Sequence, residues 1–199
     1  MRKTSKTAGH PRRVGVEGIT PFLWFDDQAE AAARLYVSLF ERSRILEVNR
    51  ADGSGEDGEG PVQSVSFELG GREFIAFNGG PIFGLTPAFS MFVRCRTQRQ
   101  VDALWERLTE GGEESRCGWL VDPFGLSWHI IPDRLVELLR DPDPRRAGRA
   151  LAAMMKMRKI DIRALELAVR GRGATRAPAA GDPRPPAFRV GSRPRHRRR

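Results

Sequence analysis

Residues 19–40 read ITPFLWFDDQAEAAARLYVSLF, and residues 88–108 read AFSMFVRCRTQRQVDALWERL. In each, a run rich in aromatic and apolar residues leads through a polar turn into apolar residues at helical spacing. Asp27 with Glu30, and Thr97 with Gln100, have the spacing of capping boxes, in which each partner satisfies a free amide of the first helical turn. Laying Asp27 on Thr97 brings Trp24 onto Arg94, Phe22 onto Phe92 and Thr20 onto Ser90. A strand–helix unit therefore occurs twice, and a repeat of this length points to a duplicated architecture.

Working outward, each copy continues into three short strands. In the first these are residues 44–49, 62–69 and 72–78, the last two joined by a tight hairpin at Gly70-Gly71. Residues 51–60 are rich in glycine and acids and read as a mobile loop. In the second copy the helix stops at Gly111-Gly112, and strands follow near residues 114–116, 117–121 and 126–131. Asp122-Pro123-Phe124-Gly125 supplies turn chemistry between the last two. The expected fold class is α+β, with two modules of strand, helix, strand, strand, strand.

Beyond Pro132 the period changes. Leu135, Leu138 and Leu139, then Ala147, Ala150, Leu151, Met154 and Met155, then Ile162, Leu165 and Ala168 predict a helical appendix. Its methionines fit a stripe packed on the sheet or on a partner subunit. After Val169, glycine, proline and arginine end all periodicity, so residues 170–199 are expected to be disordered. The expected organisation is a basic tail over 1–17, the duplicated domain over 18–132, the appendix over 133–169 and an Arg/Pro-rich tail over 170–199.

Charge divides along the same boundaries. The 199 residues carry 34 Lys plus Arg against 25 Asp plus Glu, for a net +9. Residues 1–17 hold five bases and Glu17, and residues 170–199 hold ten arginines and Asp182. The tails thus account for +13 and the middle for about −4. That split argues against a fold built around a nucleic-acid groove, which concentrates bases on the folded surface. It leaves the tail, especially residues 193–199, as the one candidate element for nucleic acid or an anionic surface. No run approaches the ~20 apolar residues of a membrane span. No signal peptide is visible, so a cytoplasmic location is expected, with Cys95 and Cys117 as reduced, packed thiols.

Several separated motifs, in order and at matching spacing, carry a resemblance. They are the run from Cys117 to Pro132 (CGWLVDPFGLSWHIIP), Phe77-Asn-Gly-Gly-Pro81, Thr97-Gln98 with Val101-Asp102 and Trp105, and Met157-Arg-Lys-Ile-Asp-Ile162. Over residues 18–168 the chain resembles the PhnB-like branch of the vicinal-oxygen-chelate superfamily, which groups glyoxalases, bleomycin-resistance proteins and extradiol dioxygenases. The resemblance implies paired βαβββ modules whose strands form a cupped mixed sheet around a small-molecule cavity, commonly with homodimerisation. The branch is often labelled a 3-demethylubiquinone methyltransferase. The common class of S-adenosylmethionine enzymes needs a glycine-rich turn between a parallel strand and a helix. Here Gly53, Gly55, Gly58 and Gly60 lie among acids, without such flanks.

Strand alternation, with Ser127 and His129 facing the cup, predicts a wall of Thr20, Phe22, Trp24, Ser66, Glu68, Phe74, Asn78, Ser90, Phe92 and Arg94. It is an aromatic wall with a few polar groups, suited to a small, partly aromatic molecule. Arg94 and Glu68 are candidates for a mutual ion pair or for substrate contact. The points at which the superfamily places metal ligands fall near Thr20, Asn78 or Ala76, Ser90 and His129. Only His129 is a good ligand for a divalent transition metal, which wants three or four imidazole, carboxylate or thiolate groups. The branch often has glutamine there. No cofactor is therefore expected, and His129 is a weak metal candidate that can instead be a polar wall residue, a general base or simply a hydrogen-bonded strand histidine.

Overall fold

The computed structural model describes residues 15–51 and 60–171. Most of both basic tails and most of the acidic 51–60 loop fall outside those residues. The first module consists of β1 (Phe22–Phe25), α1 (Ala29–Leu39), β2 (Arg44–Arg50), β3 (Val62–Leu69) and β4 (Arg72–Asn78). The second consists of β5 (Ser90–Cys95), α2 (Gln98–Thr109), β6 (Glu113–Glu114), β7 (Trp119–Val121) and β8 (Ser127–Pro132). Each module forms a four-stranded mixed sheet, ordered β1-β4-β3-β2 and β5-β8-β7-β6. The first strand of each runs parallel to the fourth, and the other pairings are antiparallel. The duplicated α+β plan expected from the sequence is the plan observed.

The helix starts differ between the copies. Thr97 and Gln100 form the full capping box at α2, Gln100 N–H donating to Thr97 Oγ1 and Thr97 N–H to Gln100 Oε1, both at 3.2 Å. At α1 no residue caps with its own side chain. Asn78, at the end of β4, supplies the acceptor instead: Ala29 N–H donates to Asn78 Oδ1 at 2.8 Å. Glu30, expected to complete a box with Asp27, pairs with Arg34 and Arg50. The strands expected near residues 114–116 and 117–121 are also shorter. Cys117 and Gly118 have φ of 59° and 84°, which strand backbone does not adopt.

One core serves both modules. Leu23, Phe25, Val65, Phe67, Phe74 and Ala76 pack with the alanine face of α1, and Leu120, Trp128 and Ile130 join the same cluster as Val101, Trp105 and Leu108 of α2. Tyr36 of α1 links them: its ring meets Trp128 at 5.2 Å and its hydroxyl donates to Asp122 Oδ2 at 2.7 Å. Asp122 is 3% exposed and also accepts from Trp128 Nε1 and from the Phe124 and Leu126 amides. Burial raises the Asp122 carboxyl above its ordinary value, and these four donors offset only part of that rise. Burial, reinforced by this carboxylate, drives the Tyr36 phenol far upward, so it remains a donor.

The appendix comprises α3 (Asp133–Leu139), α4 (Pro144–Met154) and α5 (Ile162–Arg170). Asp143 caps α4 and Asp161 caps α5 with their side chains. Leu135, Leu138, Ala150, Ile160, Leu165 and Val169 form a second core with Ile131 of β8. Gln98 clips it to α2, donating from Nε2 to the Ile160 carbonyl and accepting from Ile162 N–H, while Lys159 bonds Asp102 at 2.6 Å. Met154 and Met157 are part-buried against this core, whereas Met155 is 57% exposed. Among the described residues no helix is long and apolar enough to cross a membrane.

The Asp122 cluster should dominate stability. Asp122→Asn replaces one acceptor oxygen by a donor amide facing donors, and should cost about 2–4 kcal/mol in chemical denaturation. Tyr36→Phe, which leaves three of the four donors, should cost less.

Candidate functional site

Two-residue hairpins fix which residues share a sheet face. Across Gly70-Gly71, Leu69 pairs with Arg72, Phe67 with Phe74 and Ser66 with Ile75. Even-numbered residues on β3 thus share a face with odd-numbered residues on β4. The parallel register then sets Phe22 beside Ile75 and Trp24 beside Phe77. The face opposite α1 carries Phe22, Trp24, Ser66, Glu68, Ile75 and Phe77. Phe22 and Trp24 meet Phe77 at ring-centroid distances of 5.4 and 5.2 Å.

This register corrects two expected wall residues. Phe74 lies on the helix side, 6% exposed and stacked on Phe67 at 5.5 Å. Asn78 is on the same side, its amide engaged by Ala29 N–H and the Val62 carbonyl. The expectation carried even parity across a hairpin that reverses it. Arg94 and Glu68 do not meet either: Arg94 Nε donates to Asp133 at 2.6 Å and Glu68 accepts from Arg44 at 3.2 Å. Thr20 precedes β1, half-buried.

In the second module, by contrast, the expected phase holds. The register pairs Ser90 with Ser127 and Phe92 with His129 on β5 and β8, and Trp119 of β7 lies opposite His129. Trp128 and Ile130 point the other way into the core. The face opposite α2 therefore carries Ser90, Phe92, Arg94, Trp119, Ser127 and His129. Its Ile131 end is covered by the appendix. His129 is wedged between rings, 3.9 Å from Trp119 and 5.6 Å from Phe92 by centroid.

Two polar atoms on this face are buried without a hydrogen-bond partner, Ser127 Oγ and His129 Nε2. Ser127 is 2% exposed. Burial lowers the His129 imidazole below its ordinary value of 6.5, favouring the neutral ring. A neutral imidazole and a hydroxyl can both donate and accept, so together they match a polar group that does either. Trp119 is not among the wall residues expected from strand alternation. The Asp122–Gly125 turn signalled it, because an antiparallel return from that turn sets Trp119 against His129.

The residues do not fit a transition metal. Of the four points implied by the resemblance, Asn78 has its amide committed, Ala76 is apolar, and Thr20 and Ser90 offer only neutral hydroxyls. Among the described residues no group of three or more His, Cys, Asp or Glu is arranged to hold an ion. A hollow of about 800 Å³ lies on the helix side of the first sheet, between the start of α1 and the start of β3, lined by residues including Asp27, Glu30, Arg34, Val62, Gln63 and Asn78. Its Glu30 and Arg34 neutralise each other at 2.6 Å.

Trp24 anchors the connection between modules. Its Nε1 donates to the Gly80 carbonyl at 2.9 Å, and its ring lies where a side chain on Gly79 would stand, only 2.0 Å from an ideal Cβ. Ile82 and Phe83 follow, both largely exposed, with Phe83 edge-on to Trp24 at 5.1 Å.

The family model described as 3-demethylubiquinone-9 3-methyltransferase matches residues 17–131. The putative 3-demethylubiquinone-9 3-methyltransferase PhnB protein from Bacillus cereus is 34% identical in structural alignment, with a TM-score of 0.53. That match covers 58% of this chain and 99% of the other. A possible glyoxalase from Bacillus cereus is 16% identical, with a TM-score of 0.41 and coverage of 58% and 99%. The fosfomycin resistance protein FosX from Listeria monocytogenes is 14% identical, also at 0.41, with coverage of 59% and 94%. No curated protein sequence matches the chain significantly.

A depressed imidazole pKa has a definite sign in stability. The unfolded chain binds a proton near pH 6.5 and the folded chain only at lower pH, so stability falls as pH drops through that window. His129→Gln should flatten this part of the stability–pH profile, measured by denaturation at a series of pH values, while leaving stability at neutral pH nearly unchanged.

Proposed function

The chain belongs to the 3-demethylubiquinone-9 3-methyltransferase family, the PhnB-like branch of the vicinal-oxygen-chelate superfamily, and from that premise we propose that it binds a small, partly aromatic molecule. The binding surface is the face of the second sheet around Phe92, Trp119, Ser127 and His129. The observation that carries this reading is the pair of buried, unpartnered polar atoms, Ser127 Oγ and His129 Nε2, set among aromatic rings. A buried polar group without a partner costs about 1–3 kcal/mol, a cost that a ligand hydrogen bond removes. The bound molecule is either sequestered or transformed; His129, neutral and unpartnered at Nε2, is the group able to move a proton.

Closure of the site falls to a second copy of the chain. Phe22 and Phe92 are 55% and 59% exposed on their sheet faces, and Ile82 and Phe83, in the connection between the modules, are exposed as well. Apolar surface of this kind, rimmed by polar groups, marks an interaction site. Light scattering should find a homodimer at micromolar concentration, and a monomer would reject that closure. No metal takes part in this reading. Elemental analysis should find none in stoichiometric amount, and a zinc, nickel or iron ion lost in His129→Gln would reinstate metal chemistry.

The binding reading has its own signature. Ser127→Ala removes an unsatisfied hydroxyl, so the unliganded protein should become more stable, by about 1 kcal/mol. The same variant should lose part of the thermal shift that an aromatic metabolite screen finds for the parent chain. A variant that is less stable without ligand, or that responds to every ligand as the parent does, would count against the site. S-adenosylmethionine belongs in the same screen, because a shift with that compound would favour the reaction in the family's name.

A further inference from the structure

A second surface lies where the appendix meets the residues that lead into β7 of the second sheet. Here two distant stretches of chain are joined by main-chain bonds. Cys117 N–H donates to the Met157 carbonyl at 2.9 Å and Gly118 N–H to the Arg158 carbonyl at 2.8 Å. The joint is tight: Gly118, at φ 84°, has Ile131 Cδ1 within 2.7 Å of where a Cβ would stand and the Ile130 carbonyl at 3.0 Å. The sulfur of Cys117 lies 3.7 Å from that of Met155.

Above this joint Arg116, Met155, Lys156, Met157 and Arg158 line a hollow of about 410 Å³. Three of the five are cations. Arg116 and Lys156 are exposed and have no acid partner among the described residues. Glu114, the carboxylate paired with Arg158, is already engaged, accepting from Trp105 Nε1 at 2.8 Å and from Arg158 at 3.4 Å. Neighbouring Lys159 is spent on Asp102. The fold therefore holds Arg116, Lys156 and Arg158 around one concavity in which, among the described residues, only Arg158 has a paired counter-charge, Glu114. Like charges so held repel one another, and a multiply charged oxyanion relieves that repulsion. Guanidinium groups also meet phosphate oxygens in a fixed two-pronged geometry. The two thioethers supply soft apolar walls beside them.

We propose that this seam is a binding site for a phosphate-bearing small molecule, distinct from the aromatic face around His129. Arg116, Lys156 and Arg158 hold the phosphate, and Met155 and Met157 flank the remainder of the ligand. The site depends on the appendix, since two of its cations and both thioethers come from residues 155–158, beyond the matched region at 17–131.

Cys117 is a built-in reporter. It is half-buried at the seam, whereas the other thiol, Cys95, is 1% exposed, and burial with Asp133 nearby pushes it up to about 11. Alkylation of Cys117 by N-ethylmaleimide, followed by peptide mass spectrometry, reads occupancy in the full chain at fixed ionic strength. Pyrophosphate and ADP are the probes. Saturable, several-fold slowing of Cys117 labelling by either is expected, with loss of that protection in the double variant Arg116→Ala, Lys156→Ala. Both substitutions are at exposed side chains, and an unchanged unfolding midpoint confirms the variant's fold. The ten arginines of residues 170–199 are present in both proteins, so anion binding there cancels from the comparison. No saturable protection by either probe, or equal protection in the double variant, overturns the proposal. So does protection by a glutamate-rich peptide alone, which would make the seam a contact for an acidic protein segment.

Discussion

The carboxylate of Asp122 holds the two halves of this protein together. It is almost completely buried, and four donors converge on it: the Tyr36 hydroxyl, the Trp128 indole and the amides of Phe124 and Leu126. The two amides shape the turn between β7 and β8, the indole fixes the core side of β8, and the hydroxyl comes from the other module. The turn and the strand carrying Ser127 and His129 are therefore tied to one acceptor group. Alternate residues on β8 thus do opposite work, since Trp128 is tied to the buried carboxylate while its neighbours on either side present unpartnered polar atoms to the opposite face.

The appendix extends the same logic to the far end of the second module. Two stretches that resemble the family in sequence, Thr97-Gln98 with Asp102 and Met157 to Ile162, are partners in space. Gln98 bonds the main chain on both sides of Asp161, and Asp102 takes Lys159. Their joint presence in the chain is explained by this clip, which requires neither a ligand nor catalysis. The Asp102 carboxyl is held below its usual range chiefly by its bond to Lys159, with Gln98 contributing. The clip brings Met155 and Lys156 beside the second sheet, and Ile131 passes from sheet residue to member of the appendix core.

Much of this was legible in the amino-acid sequence. The duplication, the α2 capping box, the helical period of the appendix and the face shared by Phe92, Ser127 and His129 follow from local pattern alone. The errors have identifiable physical origins. Phe74 and Asn78 face the helix side instead of the cup because parity reverses across a two-residue hairpin, an effect contained in Gly70-Gly71 itself. The α1 cap could not be read locally, because its acceptor is Asn78, far along the chain. Likewise nothing near Arg94 announces Asp133, and the left-handed backbone at Cys117 becomes intelligible only once residues 157–158 pair with it.

Tyr36 and Trp105 occupy corresponding places in their helices, counted from Gln28 and Thr97, and each is a buried aromatic with one polar atom. Trp105 uses its indole within its own module, on Glu114, whereas Tyr36 reaches across to Asp122. The repeat is thus symmetric in strand order and asymmetric in dependence. Severed between the modules, the second half would keep three of Asp122's donors, while the first would be left with a phenol whose acceptor had departed. Two first halves could not replace the lost partner for each other, because neither contains an equivalent of Asp122 in the β7–β8 turn. The duplicated halves are complementary parts of one unit, and the direction of that complementarity is set by a single hydroxyl.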